Sequence, residues 1–297
     1  RLTGRAMSEL AGRFESLGSD IVLVVGDRVE AFAAASAAHI ANRVVAHVHG
    51  GDRALGRVDD SLRHAITKLA HVHFAATRDS ARRIVRLGED RTRVHWVGSP
   101  GVETIGTPVG SRRGSSTSRY ALISLHPVDS EPAIENRRAR IVLRAVRRVG
   151  FDQTVIVYPN NDPGASGIVR CWESEGRDDD ITVHRNLDRN QFLELLRRAA
   201  VLVGNSSSGI IEAASFGTPV VDVGPRQTGR MRNPGVVSVP YSQSAIRAAL
   251  ENFWHGGVPR RLPRRNLYRR AGTARRIAAI LAGTDLSDRA KRKLIAY

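Results

Sequence analysis

The chain has 297 residues, and 46 Lys and Arg against 29 Asp and Glu give it a net charge of +17 at pH 7. Its length indicates two domains, and its 41% hydrophobic content is ample for packed cores. No apolar stretch approaches the roughly 20 residues of a membrane span, and residues 1–5 lead into a polar amphipathic helix instead of a signal segment, so we expect no membrane partner. The single Cys171 excludes an internal disulfide and fits a reducing cytoplasm.

The positive charge comes almost entirely from arginine, because Lys68, Lys291 and Lys293 are the only lysines. The arginines are spread over most predicted helices, and the sequence has no aromatic-rich RNA-binding motif, zinc-finger spacing or helix-turn-helix pattern. A compositional bias toward Arg explains this distribution better than nucleic-acid binding, so we expect no nucleic-acid partner. The excess charge still favours a small ligand that carries phosphate.

The first hundred residues alternate between amphipathic segments and apolar runs of strand length. Helices are predicted at the start of the chain and at 29–41, 59–70 and 79–87, and strands at 20–27, 43–49, 72–76 and 93–97. Continuous apolar runs are typical of parallel strands that are buried on both faces. Strict alternation of this kind predicts a doubly wound α/β domain over residues 1–106.

A polar, basic, Gly/Ser-rich stretch then predicts a linker at 107–118. After it the alternation restarts, which predicts a second α/β domain over 119–270, followed by helices in 271–297. Strands are expected at 120–125, 154–158, 181–184, 201–203 and 220–223, and helices at 133–149, 164–175, 189–199, 208–216, 245–253, 271–281 and 288–295.

Polar residues follow the predicted strands where those strands end. Ligands of open α/β sheets bind at the carboxyl ends of the strands, so this placement predicts a nucleotide-type site. The strand ends carry Gly26-Asp27-Arg28, His47 to Asp52, His126-Pro127, Asn160 to Asp162 and Gly204 to Ser206. Simpler interpretations remain: Asp27 as a helix cap, and the histidines as packed side chains. The His, Asp and Glu residues show no zinc-like spacing, so we expect no metal.

The run from Gly204 to Ala213 is the most informative stretch. It lies between an apolar run and a predicted helix, and a Gly/Ser loop that opens a helix presents unpaired N–H groups and a positive dipole end to a phosphate. Glu212 is expected one turn into that helix, where a carboxylate can hold ribose hydroxyls. The alternative is an ordinary capped turn with Ser207 or Ser208 as N-cap.

With these motifs the chain resembles the UDP-N-acetylglucosamine 2-epimerase family, and most of all its hydrolysing branch, which forms N-acetylmannosamine for sialic-acid-type sugars. The matching motifs cover nearly the whole chain in the family's order: GDRVE (26–30), AHVHGGD (46–52), the segment 58–77, VGSPG (97–101), SLHPV (124–128), VYPNNDPG (157–164), GNSSSGIIEAASFGTPVV (204–221) and RQTGR (226–230). The resemblance implies two Rossmann-like domains of the glycosyltransferase-B type, with the helices of 271–297 packed back on the first domain.

The resemblance also implies a site, which we state as expectations. Catalytic positions would be Asp27, Asp52, Asp59, His126 and His49, with Asp59 preferred over Asp60 by the register of the motif. Substrate and UDP would be bound by Arg63, His64, Asn205, Ser206, Ser207, Ser208, Gly209, Glu212, Arg226 and Arg230, with the two last arginines closing over the pyrophosphate.

In the family's reaction the C2 proton and the C1-linked UDP leave to give a glycal, and water then attacks to give the mannose configuration. Carboxylates and a histidine whose environments separate their pKa values suit the proton transfers, and a helix N-terminus and arginines suit the departing anion. The resemblance implies a UDP-sugar as substrate, no cofactor and a homo-oligomer.

Three features depart from the family. Close hydrolysing relatives usually carry Glu where this chain has Asp52, and a shift of about 1 Å can cost about a hundredfold in rate. Asn266-Leu267-Tyr268-Arg269 replaces the family's Asn-Pro-Tyr-Gly. The family's opening βα units, with a Gly-Thr-Arg loop, are missing before Asp20, so we expect a truncated first domain with an unpaired edge at 21–25.

These departures leave alternatives open. A non-hydrolysing 2-epimerase, a relative that acts on a 2,4-diacetamido trideoxy sugar or a GDP-sugar, and an inactive nucleotide-sugar-binding remnant are the competing hypotheses.

Overall fold

The computed structural model describes residues 2–54, 59–105, 119–176, 178–255 and 257–296. They form two compact units: the first comprises Arg1–Thr104, Gly229–Met231 and Tyr268–Tyr297, and the second comprises Ile105–Thr228 and Arg232–Leu267. The predicted linker at 107–118 lies outside the described residues. Within the described ranges, no helix combines the length and the apolar character needed to cross a bilayer.

The strands form two parallel sheets and a short antiparallel hairpin. In chain order they are β1 (Ile21–Val25), β2 (Val44–Val48), β3 (Val72–Ala75), β4 (Val94–Trp96), β5 (Tyr120–Ser124), β6 (Gln153–Val157), β7 (Ile181–His184), β8 (Val201–Gly204), β9 (Val220–Val223), β10 (Val236–Val239), β11 (Trp254–His255) and β12 (Val258–Pro259). The first unit has the order β1-β2-β3-β4, the second has β10-β9-β8-β5-β6-β7, and β11 pairs with β12.

The helices alternate with these strands. They are α1 (Leu2–Ser16), α2 (Val29–Ile40), α3 (Asp59–Leu69), α4 (Arg78–Arg86), α5 (Pro100–Glu103), α6 (Pro132–Arg147), α7 (Ala165–Glu175), α8 (Arg189–Arg198), α9 (Ser207–Ile211), α10 (Gln243–Glu251), α11 (Thr273–Ala282) and α12 (Asp288–Lys291).

The structure differs from the local predictions in three respects. The short elements α5, β10, β11 and β12 were not predicted. The helix expected at 208–216 is two pieces, α9 and a 3-10 helix at Ala213–Ser215. The last helix ends at Lys291, four residues early, because Lys293 turns back to donate to the Thr67 carbonyl at 2.8 Å.

The first sheet is covered on both faces. Val22, Val24 and Val45 pack with Ala35 and Ile66 of α2 and α3 on one side. Ile277 of α11 packs with Val44, Ala46, Val72, Phe74 and Val97 on the other side. Among the described residues β1 pairs only with β2, so it is the edge strand that the sequence predicts. At β1 one face stays uncovered, because Leu23 and Val25 are 44% and 59% exposed.

The second sheet has a topological switch point beside its central strand. The chain moves outward from β5 through β6 to β7, and then returns to place β8 against the other side of β5. Ser124 at the end of β5 lies opposite Gly204 at the end of β8. The carboxyl ends of these two strands are therefore where this fold class places a ligand.

Candidate active site

The carboxyl end of β1 is held by a buried histidine of β2. The Nε2 atom of His47 donates to the carbonyl of Gly26 at 2.8 Å, and His47 is fully buried. Burial lowers the pKa of His47 to about 3, against the opposing effect of that hydrogen bond. His47 is therefore a neutral side chain that fixes the turn before Asp27, and it is not an exposed proton carrier at neutral pH.

Arg63 on α3 connects two predicted site positions, Asp27 and Asp52, with Asp60. Its guanidinium donates to the carboxylates of Asp27 and Asp60 and, at 3.0 Å, to the carbonyl of Asp52. Only 1% of the Arg63 side chain is exposed, so its charge is compensated inside the protein by these contacts. Arg63 lies at the centre of this carboxylate cluster, and its expected role in binding substrate stays a prediction.

The carboxylate of α3 that joins this cluster is Asp60. Its Oδ1 atom accepts from Arg63 and from the Ala54 N–H at 3.2 Å, and its Oδ2 atom lies 3.7 Å from Nε2 of His64. Asp59 is the first residue of the helix and is half-buried. The preference for Asp59 in catalysis stays a prediction. The spacing of three residues between Asp60 and Arg63 is the signal by which Asp60 was detectable.

Asp52 is a buried, ionised carboxylate. It is 5% exposed; Oδ1 accepts from the Ser80 hydroxyl at 2.6 Å, and Oδ2 lies 3.4 Å from Nδ1 of His49. Burial raises its pKa, but the His49 contact, the charge of Arg230 and the Ser80 bond outweigh burial and lower the pKa to about 2. Arg230 belongs to the first unit, and the expectation that it closes over the pyrophosphate with Arg226 stays a prediction.

In the second unit, Asn205 ties together the two strands at the switch point. Its Oδ1 accepts from the His126 N–H at 2.7 Å and its Nδ2 donates to the His126 carbonyl at 2.8 Å. The His126 ring accepts, at Nδ1, the N–H of Asn160 at 3.0 Å. Because a backbone N–H only donates, the neutral His126 ring carries its proton on Nε2.

The serine loop begins α9 one or two residues earlier than expected. Ser206 is the N-cap and accepts from the Ser208 N–H at 3.4 Å, so the alternative that Ser207 or Ser208 is the N-cap is wrong in its residue. The Asn205 carbonyl accepts from Arg226 at 3.2 Å and from Gln227 at 2.8 Å. A Cβ on Gly209 would lie 2.8 Å from Val220 Cγ1, so this glycine permits close packing on the sheet.

Glu212 follows α9 instead of lying within it. It is the C-cap residue, and its side chain, 11% exposed, pairs with Arg189 at 2.9 Å between Oε1 and Nη1. The sequence did not single out Arg189. Asn266, from the motif that departs from the family, donates to the Ile211 carbonyl at 2.7 Å and so satisfies an acceptor at the end of α9.

We expect Gly204→Ala to destabilise the second unit by at least about 1–3 kcal/mol, since Gly204 has φ +136° and a Cβ would lie 2.1 Å from the Ser124 carbonyl. Urea unfolding followed by circular dichroism measures this. Gly12→Ala on α1, where a Cβ meets nothing within 4 Å, is the control and should not destabilise the protein. Equal stability of the two variants would contradict the prediction.

A family model described as UDP-N-acetylglucosamine 2-epimerase matches residues 1–282. The chain belongs to the UDP-N-acetylglucosamine 2-epimerase family. A Legionella pneumophila relative named UDP-N,N'-diacetylbacillosamine 2-epimerase (hydrolyzing) is 39% identical over 245 residues, which are 80% of this chain and 64% of that protein. A Neisseria meningitidis relative named UDP-N-acetylglucosamine 2-epimerase is 31% identical over 255 residues, 84% of this chain and 67% of that protein. The chain thus spans about two thirds of the length of these relatives.

Solved structures of this family share the fold. S. aureus MnaA with UDP superposes with a TM-score of 0.78 at 18% identity, and covers 100% of this chain and 82% of its own. The Neisseria meningitidis enzyme bound to UDP-GlcNAc gives 0.77 at 18% identity, over 94% of this chain and 81% of its own. These matches confirm the prediction of two Rossmann-like domains of the glycosyltransferase-B type.

Proposed function

We propose that this protein is a hydrolysing 2-epimerase that converts UDP-N-acetylglucosamine to N-acetylmannosamine and UDP, by elimination to a glycal and rehydration. The observation that carries the proposal is the cluster in which buried Arg63 holds the carboxylates of Asp27 and Asp60 beside ionised Asp52. Membership of the family and the 39% identity to a relative named as hydrolyzing support the same assignment.

In this proposal the first unit handles protons. Removal of the C2 proton needs a base, and hydration of the glycal needs an acid and an activated water. We assign these roles to Asp27 and Asp59. Asp52, with its pKa at about 2, keeps its negative charge at neutral pH and is assigned to stabilise positive charge that develops on the sugar.

The second unit is assigned to the UDP leaving group. The hydroxyls of Ser206, Ser207 and Ser208, the guanidinium of Arg226 and the Nε2–H of His126 are the donors proposed for the diphosphate. Arg226 already contacts the loop, since it donates to the Asn205 carbonyl at 3.2 Å. We propose that Glu212 binds the ribose hydroxyls. The ribose would then compete with Arg189 for the carboxylate of Glu212.

The sugar has a second candidate. The 39% identical relative is named for UDP-N,N'-diacetylbacillosamine, whereas a 31% identical Escherichia coli relative is named polysialic acid biosynthesis protein P7. We propose UDP-N-acetylglucosamine first, and we propose sialic-acid-type biosynthesis as its context. Activity on the diacetylated sugar is the alternative that the higher identity favours.

Proton NMR of the purified chain with each UDP-sugar in deuterated water tests the proposal. We expect free N-acetylmannosamine with deuterium at C2, together with UDP in equal amount, and at least a hundredfold lower rate in Asp27→Asn. Formation of UDP-N-acetylmannosamine would instead show a non-hydrolysing epimerase. Calorimetric binding of UDP without turnover of either sugar would show a nucleotide-binding remnant.

A further inference from the structure

A chain of hydrogen-bonded hydroxyl groups ends at the carboxylate of Asp52. Ser80 gives its hydroxyl proton to Asp52 Oδ1, so the 2.7 Å contact between the Thr77 and Ser80 hydroxyls leaves Thr77 as donor. Thr77 is also the N-cap of α4 and accepts the Ser80 N–H at 3.1 Å. Each hydroxyl in the chain donates one hydrogen bond, in the direction of the Asp52 carboxylate.

A second chain reaches the other oxygen of Asp52. An ionised carboxylate only accepts, so His49 holds its proton on Nδ1, where the contact with Asp52 Oδ2 is 3.4 Å. In the neutral form of the ring the Nε2 atom is then an acceptor, and the Ser99 hydroxyl lies 3.0 Å from it. In that form Ser99 donates to His49, and His49 donates to Asp52.

This chain of serine, histidine and aspartate has the connectivity of a hydrolytic triad, but it is not placed to attack a substrate. Ser99 is 2% exposed, and its backbone N–H donates to the Tyr268 carbonyl at 2.8 Å, so the hydroxyl is enclosed by protein. Both ring nitrogens of His49 are occupied by protein groups. A positioning role accounts for these contacts, and a nucleophilic role does not.

We propose that Ser80 and Ser99 are positioning residues of the epimerase site, which hold Asp52 in one orientation as a fixed anion and hold His49 with its proton on Nδ1. This inference rests on the proposed function. It also gives a reason for the shorter carboxylate: with one methylene fewer than Glu, Asp52 reaches less far, and two donors inside the protein fix it.

Other groups face Asp52 from the surrounding elements. Ser80 lies in the first turn of α4, whose positive dipole end favours the anion. One turn later, Arg83 donates to the Gly51 carbonyl, and the charge of Asp52 also acts on Arg83. Arg230 lowers the pKa of Asp52. These charges are the same in variants that lack Ser80 or Ser99. A change in the pH dependence of the rate in such a variant therefore comes from the lost hydroxyl.

Kinetics of Ser80→Ala and Ser99→Ala test the proposal. Loss of a hydrogen bond to a charged or charge-coupled group predicts a fall in kcat of roughly 10-fold to 100-fold, with KM within about twofold. Ser80→Thr, which keeps the hydroxyl, should recover most of the rate. Ser36→Ala removes a buried hydroxyl from α2, outside this cluster, and should leave kcat unchanged. Full kcat in both alanine variants would overturn the proposal.

A measurement without turnover separates this inference from the proposed function. Nitrogen-15 NMR of the ring of His49, assigned by its loss in His49→Gln, should show the proton on Nδ1 in the unmodified protein. Asp52→Asn should abolish that preference. A proton on Nε2 in the unmodified protein would overturn the positioning chain, whereas absence of turnover with the Nδ1 proton present would count against the proposed function alone.

Discussion

Arg63→Met should lower the free energy of unfolding by about 3–5 kcal/mol and reduce kcat by at least a hundredfold. The methionine removes a cation that is 1% exposed and leaves the carboxylates of Asp27 and Asp60 without their partner. Loss of the buried member of such a charge group costs this much because the two carboxylates, which are 20% and 34% exposed, regain only part of their hydration. Urea unfolding and steady-state kinetics of the proposed reaction measure the two effects.

Arg82→Met is the matched control, because Arg82 lies on the neighbouring helix α4 and pairs with Asp79 while 67% exposed. An exposed pair contributes about 0–1 kcal/mol, so this variant should keep its stability and its rate. Arg63→Lys should give an intermediate result, since a single ammonium cannot replace a planar fork with several donors. If Arg63→Met were as stable and active as Arg82→Met, the central role of Arg63 would be wrong.

Acidification from pH 7 to pH 4.5 should lower the free energy of unfolding by about 2 kcal/mol for each of two buried histidines, His47 and His71. Burial is the main cause that lowers the pKa of His47 to about 3 and that of His71 to about 4. Between the unfolded value near 6.5 and these folded values, the unfolded chain binds more protons. Stability therefore falls as pH falls through this window.

The contribution of His71 can be removed separately. Its Nδ1 accepts the Val45 N–H at 3.0 Å, and the amide oxygen of His71→Asn can accept the same donor without titrating. We expect urea unfolding of this variant to lose about 2 kcal/mol of the pH dependence. His255→Asn, at an exposed position, should keep the full dependence. Identical pH dependence in both variants would contradict the assignment to His71.

We expect a further loss of stability at lower pH. The pKa values of Asp52 and Glu89 are both lowered to about 2: burial raises each of them, and hydrogen bonds from His49 and from His73 respectively are the largest opposing effects. Carboxylates with lowered pKa values contribute stability that is present above about pH 4.5 and is lost as pH falls toward 2. The two contributions overlap between about pH 4.5 and 3, so the histidines are best measured above pH 4.5 and the carboxylates below pH 3.

The sequence predicted where polar residues gather because that information is local. Gly26-Asp27 and Gly204-Asn205 each follow an apolar run, and parallel strands bring their carboxyl ends to one edge of their sheet. The side-chain pairs at that edge are not local. Asn205 contacts the backbone of His126, 79 residues away, and Ser99 contacts His49, 50 residues away.

The differences at helix ends have a tertiary origin. Ile210, Ile211 and Glu212 continue into Ala213 and Ala214, a composition that favours one helix by propensity. In the structure the Asn266 side chain donates a hydrogen bond to the Ile211 carbonyl, and the chain tightens into a 3-10 turn at Ala213–Ser215. In α3, Asp59 and Asp60 are equivalent by composition, and the buried position of Arg63 selects Asp60.

The contact between the Asn160 N–H and His126 Nδ1 limits the part that His126 can take in the proposed reaction. While that contact holds, the lone pair on Nδ1 is occupied and Nε2 already bears hydrogen, so the ring has no position for a second proton. In the proposed reaction His126 would then act on the departing nucleotide as a hydrogen-bond donor through Nε2, and the proton transfers would be left to the carboxylates proposed in the first unit.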